Sequence, residues 1–162
     1  MDAVIVISKI LFIGVGATLM VDSWSFVLRL FKITSLDYRY VGRWIAYFPK
    51  GKFVHRNILA TKTVHGELAI GWAAHYLIGI SFAFLLVLVY GNEWLARPML
   101  YPAVIIGMIT VCAPLFIMQP AFGFGIASSN LPNPNIRRLK SVSTHMIYGI
   151  GLYATALLIS HL

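Results

Sequence analysis

Charge is what this chain has least of, and acid least of all. Lys, Arg, Asp and Glu make up 11% of its 162 residues, and only 5 of these are acidic against 13 basic. A water-soluble domain carries roughly 25% charged residues, so water is not the main solvent here. Cys112 is the single cysteine and lies in an apolar run, which excludes an intrachain disulfide and any paired-cysteine motif. Gly-x-Ser-x-Gly is absent. The glycines of Met118-Gln119-Pro120-Ala121-Phe122-Gly123-Phe124-Gly125 are followed by no Lys-Ser/Thr, so they are no phosphate loop. The opening Met1-Asp2 lacks the basic start of a cleaved signal peptide, and the apolar stretch after it is expected to be retained.

What is there is apolar: 59% of residues are hydrophobic and the mean hydropathy is +0.82. A spanning helix needs about 20 mostly apolar residues. Four stretches qualify, at residues 3–31, 68–90, 98–118 and 141–162, the first interrupted by Lys9, Asp22 and Arg29. Lipid cannot satisfy free backbone groups, so each must be helical. Continuous apolarity excludes the alternating short segments of a β-barrel. The expected fold is all-α, a polytopic four-transmembrane-helix bundle forming one domain over residues 1–162.

Lys32, Arg39, Arg43, Lys50, Lys52, Arg56 and Lys62 fall between the first two stretches, and Arg137, Arg138 and Lys140 between the last two. The segment between the second and third holds only Arg97. The positive-inside rule makes the two basic segments cytoplasmic and both termini non-cytoplasmic. Tyr90, Trp94 and Tyr101 mark the opposite interface as an aromatic belt. Basic residues gathered in this way speak for anionic membrane lipid, not nucleic acid.

Within the longer basic segment, Ser35 is a plausible N-cap for an amphipathic helix over residues 36–48, stopped by Pro49. Tyr38, Val41, Trp44, Ile45 and Phe48 share one face, Arg39 and Arg43 another. Arg39, Arg43 and Trp44 are expected to face lipid headgroups, unless the helix is a lid on the bundle. Pro132 and Pro134 mark residues 130–135 as a turn-rich loop, and Pro120 is expected to end the third helix.

The sequence also echoes itself. His75-x-x-x-Gly79-Ile80 in the second stretch matches His145-x-x-x-Gly149-Ile150 in the fourth. This reads as two helical hairpins repeated about an axis along the membrane normal, or as chance. The matching part of the odd-numbered helices is weaker: Gly14-x-x-x-Thr18 against Gly107-x-x-Thr110.

Ionisable groups inside a membrane are costly and usually face the bundle interior. Asp22, Glu67, His75, His145 and Gln119 are expected in the cytoplasmic half of the bundle, as candidates for ligand or proton binding. Asp22, Glu67, His75 and His145, with Met118, form a candidate set for a transition metal such as zinc or iron. Imidazole and carboxylate suit a proton relay equally well. His75 and His145 could also ligate haem, with Gly79 and Gly149 admitting the macrocycle edge or simply letting helices pack closely. Against all of these stands structural glue, with Asp22 paired to Arg29 or to a histidine.

Gly16-Ala17-Thr18 with Asp22 and Trp24, Gly42-Arg43-Trp44, Gly66-Glu67, Gly71-Trp72 and His75-Tyr76 open a longer pattern. Met118-Gln119-Pro120, Gly123-x-Gly125 and His145 with Gly149-x-Gly151-Leu152-Tyr153 complete it. On these residues the chain resembles, over nearly its whole length, a bacterial family of small membrane proteins, that of domain of unknown function 2938. The resemblance implies the bacterial inner membrane and supplies no activity. Three functions follow as expectations. The first is a binding or transport protein with a polar metal or proton site, for which a homo-oligomer is plausible because four spans are few for a transporter. The second is a membrane-embedded metal- or haem-dependent oxidoreductase. The third is a non-catalytic scaffold or assembly subunit.

Overall fold

The computed structural model describes residues 2–33 and 35–160, and among these every regular element is a helix. Four helices are long and apolar enough to cross a membrane: Ala3–Leu30, Glu67–Tyr90, Leu100–Ala121 and Pro134–Ser160. The chain is therefore an all-α polytopic membrane protein. Large apolar side chains such as Leu77, Leu88, Ile117 and Leu158 are exposed along these helices, as side chains whose solvent is hydrocarbon should be.

We label the elements α1 (Ala3–Leu30), α2 (Tyr38–Ala46), α3 (Glu67–Tyr90), α4 (Glu93–Ala96), α5 (Leu100–Thr110), α6 (Gln119–Ala121) and α7 (Pro134–Ser160). Asp2 caps α1 by accepting the Val4 N–H. The cap of α2 is Asp37, not Ser35: its carboxylate accepts the Arg39 N–H. The helix is accordingly shorter than residues 36–48, and Phe48–Lys50 is a separate 3-10 turn.

Two prolines stand at helix ends, each within a residue or two of the boundary the sequence suggested. Between α5 and α6 the backbone forms a π turn over Pro114–Met118, and the Gln119 N–H reaches back to the Pro114 carbonyl. The wider turn precedes Pro120, which brings no N–H of its own, and the span ends one residue after that proline, at Ala121. Pro134 starts α7. At the first helical position its missing N–H would be unpaired anyway. Arg137, Arg138 and Lys140 therefore lie on the opening turns of a helix rather than in a loop.

The chain divides into two compact units. The first comprises residues 1–35, 76–110 and 143–162. Its helices meet where side chains are missing. A Cβ on Gly14 would stand 2.6 Å from the Ile80 Cα, and one on Gly107 would stand 2.7 Å from the Gly149 Cα. Thr18 and Thr110 turn their hydroxyls back onto the carbonyls of Gly14 and Gly107, each at 2.7 Å. The two Gly/Thr pairs are thus used alike, although their spacings differ. Each lies against the helix bearing the matching His-x-x-x-Gly. Gly79 lies against the Thr18 hydroxyl and Gly149 against the backbone of Ala103 and Val104. Close packing, not a macrocycle edge, is what these glycines serve.

The second unit comprises residues 36–75 and 111–142. Here α2 meets the first turns of α3 backbone to backbone: a Cβ on Gly42 would fall 1.7 Å from the Glu67 carbonyl oxygen, and one on Gly71 1.9 Å from that of Tyr38. The loop after α2 is strapped to the end of the third span. His55 N–H donates to the Ala121 carbonyl at 2.7 Å and Ile58 N–H to that of Phe122 at 3.0 Å. Val41, Ile58 and Phe122 form the buried core of this unit.

Candidate functional site

Each polar residue picked out of the apolar runs has a partner within its own unit. In the first unit, the Tyr76 hydroxyl donates to Asp22 Oδ2 at 2.9 Å. Arg29, the expected partner of Asp22, stands instead over the Phe26 ring. His145 Nδ1 lies 2.9 Å from Thr110 Oγ1. Since Thr110 gives its only proton to Gly107, His145 must be the donor, which fixes its Nδ1–H tautomer and leaves Nε2 as the acceptor. The Tyr148 hydroxyl donates to the Gly79 carbonyl, tying α7 to α3.

In the second unit, His75 sits among aromatic rings. Tyr38 stacks on it with centroids 4.2 Å apart and Trp72 meets it edge-on at 5.8 Å. The Tyr38 hydroxyl is 2.9 Å from His75 Nε2. Tyr38 reaches this place because Gly42 and Gly71 let the two helices touch. Haem ligation through that nitrogen would have to break the tyrosine bond, and nothing in the arrangement favours it.

Glu67 and Arg43 are the largest departure from expectation. Arg43 is not on a lipid-facing surface; it is 5% exposed. Its Nε and Nη2 donate to the two Glu67 carboxylate oxygens at 2.8 Å each. Its Nη1 donates to the Ile58 and Thr61 carbonyls at 2.9 and 3.0 Å. Glu67 Oε2 also accepts the Val64 N–H at 3.0 Å. One guanidinium fork thus joins α2, the following loop and the start of α3, using its planar donors as no lysine could. The bonded carboxylate beside Arg43 holds the guanidinium's pKa above its ordinary value. Trp44 is half-buried and donates its indole N–H to the Phe53 carbonyl at 2.7 Å. Of the three residues expected at the headgroups only Arg39 is exposed, in a surface pair with Asp37. That pair draws the Asp37 carboxyl below its usual range.

Gln119 is buried; it accepts the Ser128 hydroxyl at 3.0 Å and donates weakly to Ser141 at 3.5 Å. Met118 packs on the apolar core of its unit. Among the described residues no three His, Cys, Asp or Glu side chains stand close enough to hold a metal ion. The metal set of Asp22, Glu67, His75 and His145 with Met118 therefore finds no support. The reason is visible for Glu67, whose lone pairs are occupied by arginine, and for Met118, whose thioether is used in packing.

Sequence reasoning missed the partners: Tyr38, Tyr76, Thr110 and the pairing role of Arg43. Tyr76 and Thr110 carried a signal, being hydrogen-bonding residues inside apolar spans. His55 carried none. It is 1% exposed, its Nδ1 bonds Thr61 Oγ1 at 3.0 Å, and its buried Nε2 has no hydrogen-bond partner among the described residues.

Taken together, the four long apolar helices and the hydrogen-bonded tyrosine, histidine and carboxylate groups they carry define an all-helical integral membrane protein. The chain belongs to the family described as Protein of unknown function (DUF2938), whose model matches residues 11–159. No curated protein and no solved structure matches it significantly.

Proposed function

We propose that this is a multi-pass protein of the bacterial inner membrane, with both termini non-cytoplasmic, which binds and moves protons. The sidedness rests on the basic residues between the first and second spans and on the opening turns of α7. The proton reading rests on one observation: consecutive residues of one membrane-crossing helix, His75 and Tyr76, are each hydrogen-bonded to a partner that can exchange a proton, Tyr38 and Asp22. Each pair lies within its own unit, phenol with imidazole and phenol with carboxylate, and each can take up and release a proton without a metal.

The test is proton flux in liposomes holding a pH-sensitive dye, with purified protein and an imposed pH gradient. Wild-type protein should collapse the gradient faster than empty liposomes. His75→Gln and Asp22→Asn should slow it while remaining monodisperse. A wild-type rate equal to that of empty liposomes would overturn the proposal, as would unchanged rates in both variants. A structural reading has its own observation, the buried Arg43–Glu67 fork. Under it Asp22→Asn and His145→Gln lower thermal stability alone.

A further inference from the structure

We propose that residues 50–59 form a membrane-inserting loop, with Phe53, Val54 and Leu59 entering the acyl boundary and Lys50, Lys52 and Arg56 taking the phosphates of anionic phospholipid headgroups. The first argument is placement. The loop donates backbone hydrogen bonds from His55 and Ile58 to Ala121 and Phe122, and Ala121 is the last residue of the third span. Through Arg43 it is tied to Glu67, the first residue of the second span. A segment fastened to the exit of one span and the entrance of another lies at the level of the headgroups.

The second argument is the sorting of side chains along it. His55 and Ile58 point inward, at 1% and 0% exposure, whereas Phe53, Val54 and Leu59 are 56%, 66% and 50% exposed. Lys50, Lys52 and Arg56 are exposed as well. The buried pair, with the Trp44 indole bonded to the Phe53 carbonyl, fixes the outward set in place. Both lysine ammoniums stand over the Tyr47 ring, at 4.9 and 5.5 Å from its centre, so two cations are gathered at one point beside the apolar tip. Clustered cations beside exposed apolar side chains match the chemistry of an anionic leaflet, which offers phosphate above and hydrocarbon below. No acidic residue lies between Asp37 and Glu67 to oppose that attraction.

The experiment is spin-label depth measurement. Cys112 is the only cysteine, so Val54→Cys in a Cys112→Ala background carries one label. The protein is placed in nanodiscs of phosphatidylglycerol or of phosphatidylcholine. In phosphatidylglycerol the label should collide with oxygen more than with a water-soluble nickel chelate, and this preference should shrink in phosphatidylcholine and with Lys50→Gln/Lys52→Gln. A label freely reached by the chelate would overturn insertion. A label shielded from both reagents would overturn it in favour of a contact with protein. Equal depth in the two lipids would overturn the assignment of the cations to anionic headgroups.

Discussion

In residues 1–35, 76–110 and 143–162 the helices hold together through what is absent. Glycines let backbones approach, and threonine and tyrosine hydroxyls finish on nearby carbonyls. In residues 36–75 and 111–142 glycine contacts recur at Gly42 and Gly71, but a charge pair is added to them, Arg43 and Glu67, with backbone bonds strapping a loop to a helix end. The contrast follows the solvent. Between lipid-facing helices no hydrophobic force favours association over lipid contact, so close packing of small residues and interhelical hydrogen bonds must do it. A segment between spans has water near at hand and can use an arginine fork, provided every donor finds an acceptor. The two kinds of cohesion should fail in different ways when broken.

The largest effect is expected from Arg43→Ala. It leaves the Glu67 carboxylate buried without its partner and releases the Ile58 and Thr61 carbonyls. Breaking one side of a buried pair costs about 3–5 kcal/mol. The lower end applies here, because the pair belongs to a unit whose loop is largely exposed. In hydrogen exchange followed by mass spectrometry, amides of residues 58–64 should lose protection, while those around Gly14 and Gly79 keep theirs. Equal loss in both regions would mean that the two kinds of cohesion are one. Arg43→Lys should recover only part, since a lysine cannot grip the carboxylate and two carbonyls together.

Next in size is Gly107→Ala, which acts on the other kind of contact. The new methyl would stand 2.6 Å from the His145 carbonyl oxygen and 2.7 Å from the Gly149 Cα. Both are backbone and cannot swing aside, so α5 and α7 must separate. Overpacking of this sort costs about 1–3 kcal/mol. The melting temperature in detergent should fall, with protection lost around residues 103–110 and 145–152 and retained at residues 58–64. Full retention everywhere would show that the glycine contact contributes nothing to cohesion.

How much of this was written in the sequence depends on whether a repeat carries it. Four spans were legible because each needs a long unbroken apolar run: residues 68–90 were expected and Glu67–Tyr90 is found. The glycines of the His-x-x-x-Gly echo were legible as close-packing positions. Proline was legible as a boundary, since Pro120 lies one residue before the end of the third span and Pro134 starts α7. The π turn at Pro114–Met118 was not, because it depends on local backbone geometry. Partners were the least legible. Periodicity places Arg43 on a face of α2 but does not say that Glu67 waits opposite, 24 residues away. The polar residues of the candidate site were found one by one, and the tyrosines and threonine that engage them were not.

The smallest effect should come from His55, and it sharpens the contrast by giving one region a pH dependence of its own. Thr61 donates its hydroxyl proton to the Asn57 carbonyl at 3.0 Å. His55 Nδ1 must therefore donate to Thr61, and the bare buried nitrogen is Nε2. Burial first, and then the charges of Lys52 and Arg43, hold the pKa of this histidine below its ordinary value. The sign follows from linkage: the unfolded chain takes up a proton as pH falls through about 6.5, while the folded loop resists it, so stability is lost on acidification and unchanged above that pH. The Tyr47 ring stands nearly perpendicular to the imidazole, with centroids 5.2 Å apart, and no carboxylate is among the groups shifting the histidine's pKa. Amide protection at His55 and Ile58, whose N–H groups strap the loop to Ala121 and Phe122, should drop between pH 7 and pH 5 after correction for the intrinsic exchange rate. His55→Gln should flatten that drop. A wild-type loop equally protected at both pH values would show that the buried imidazole does not control the strap.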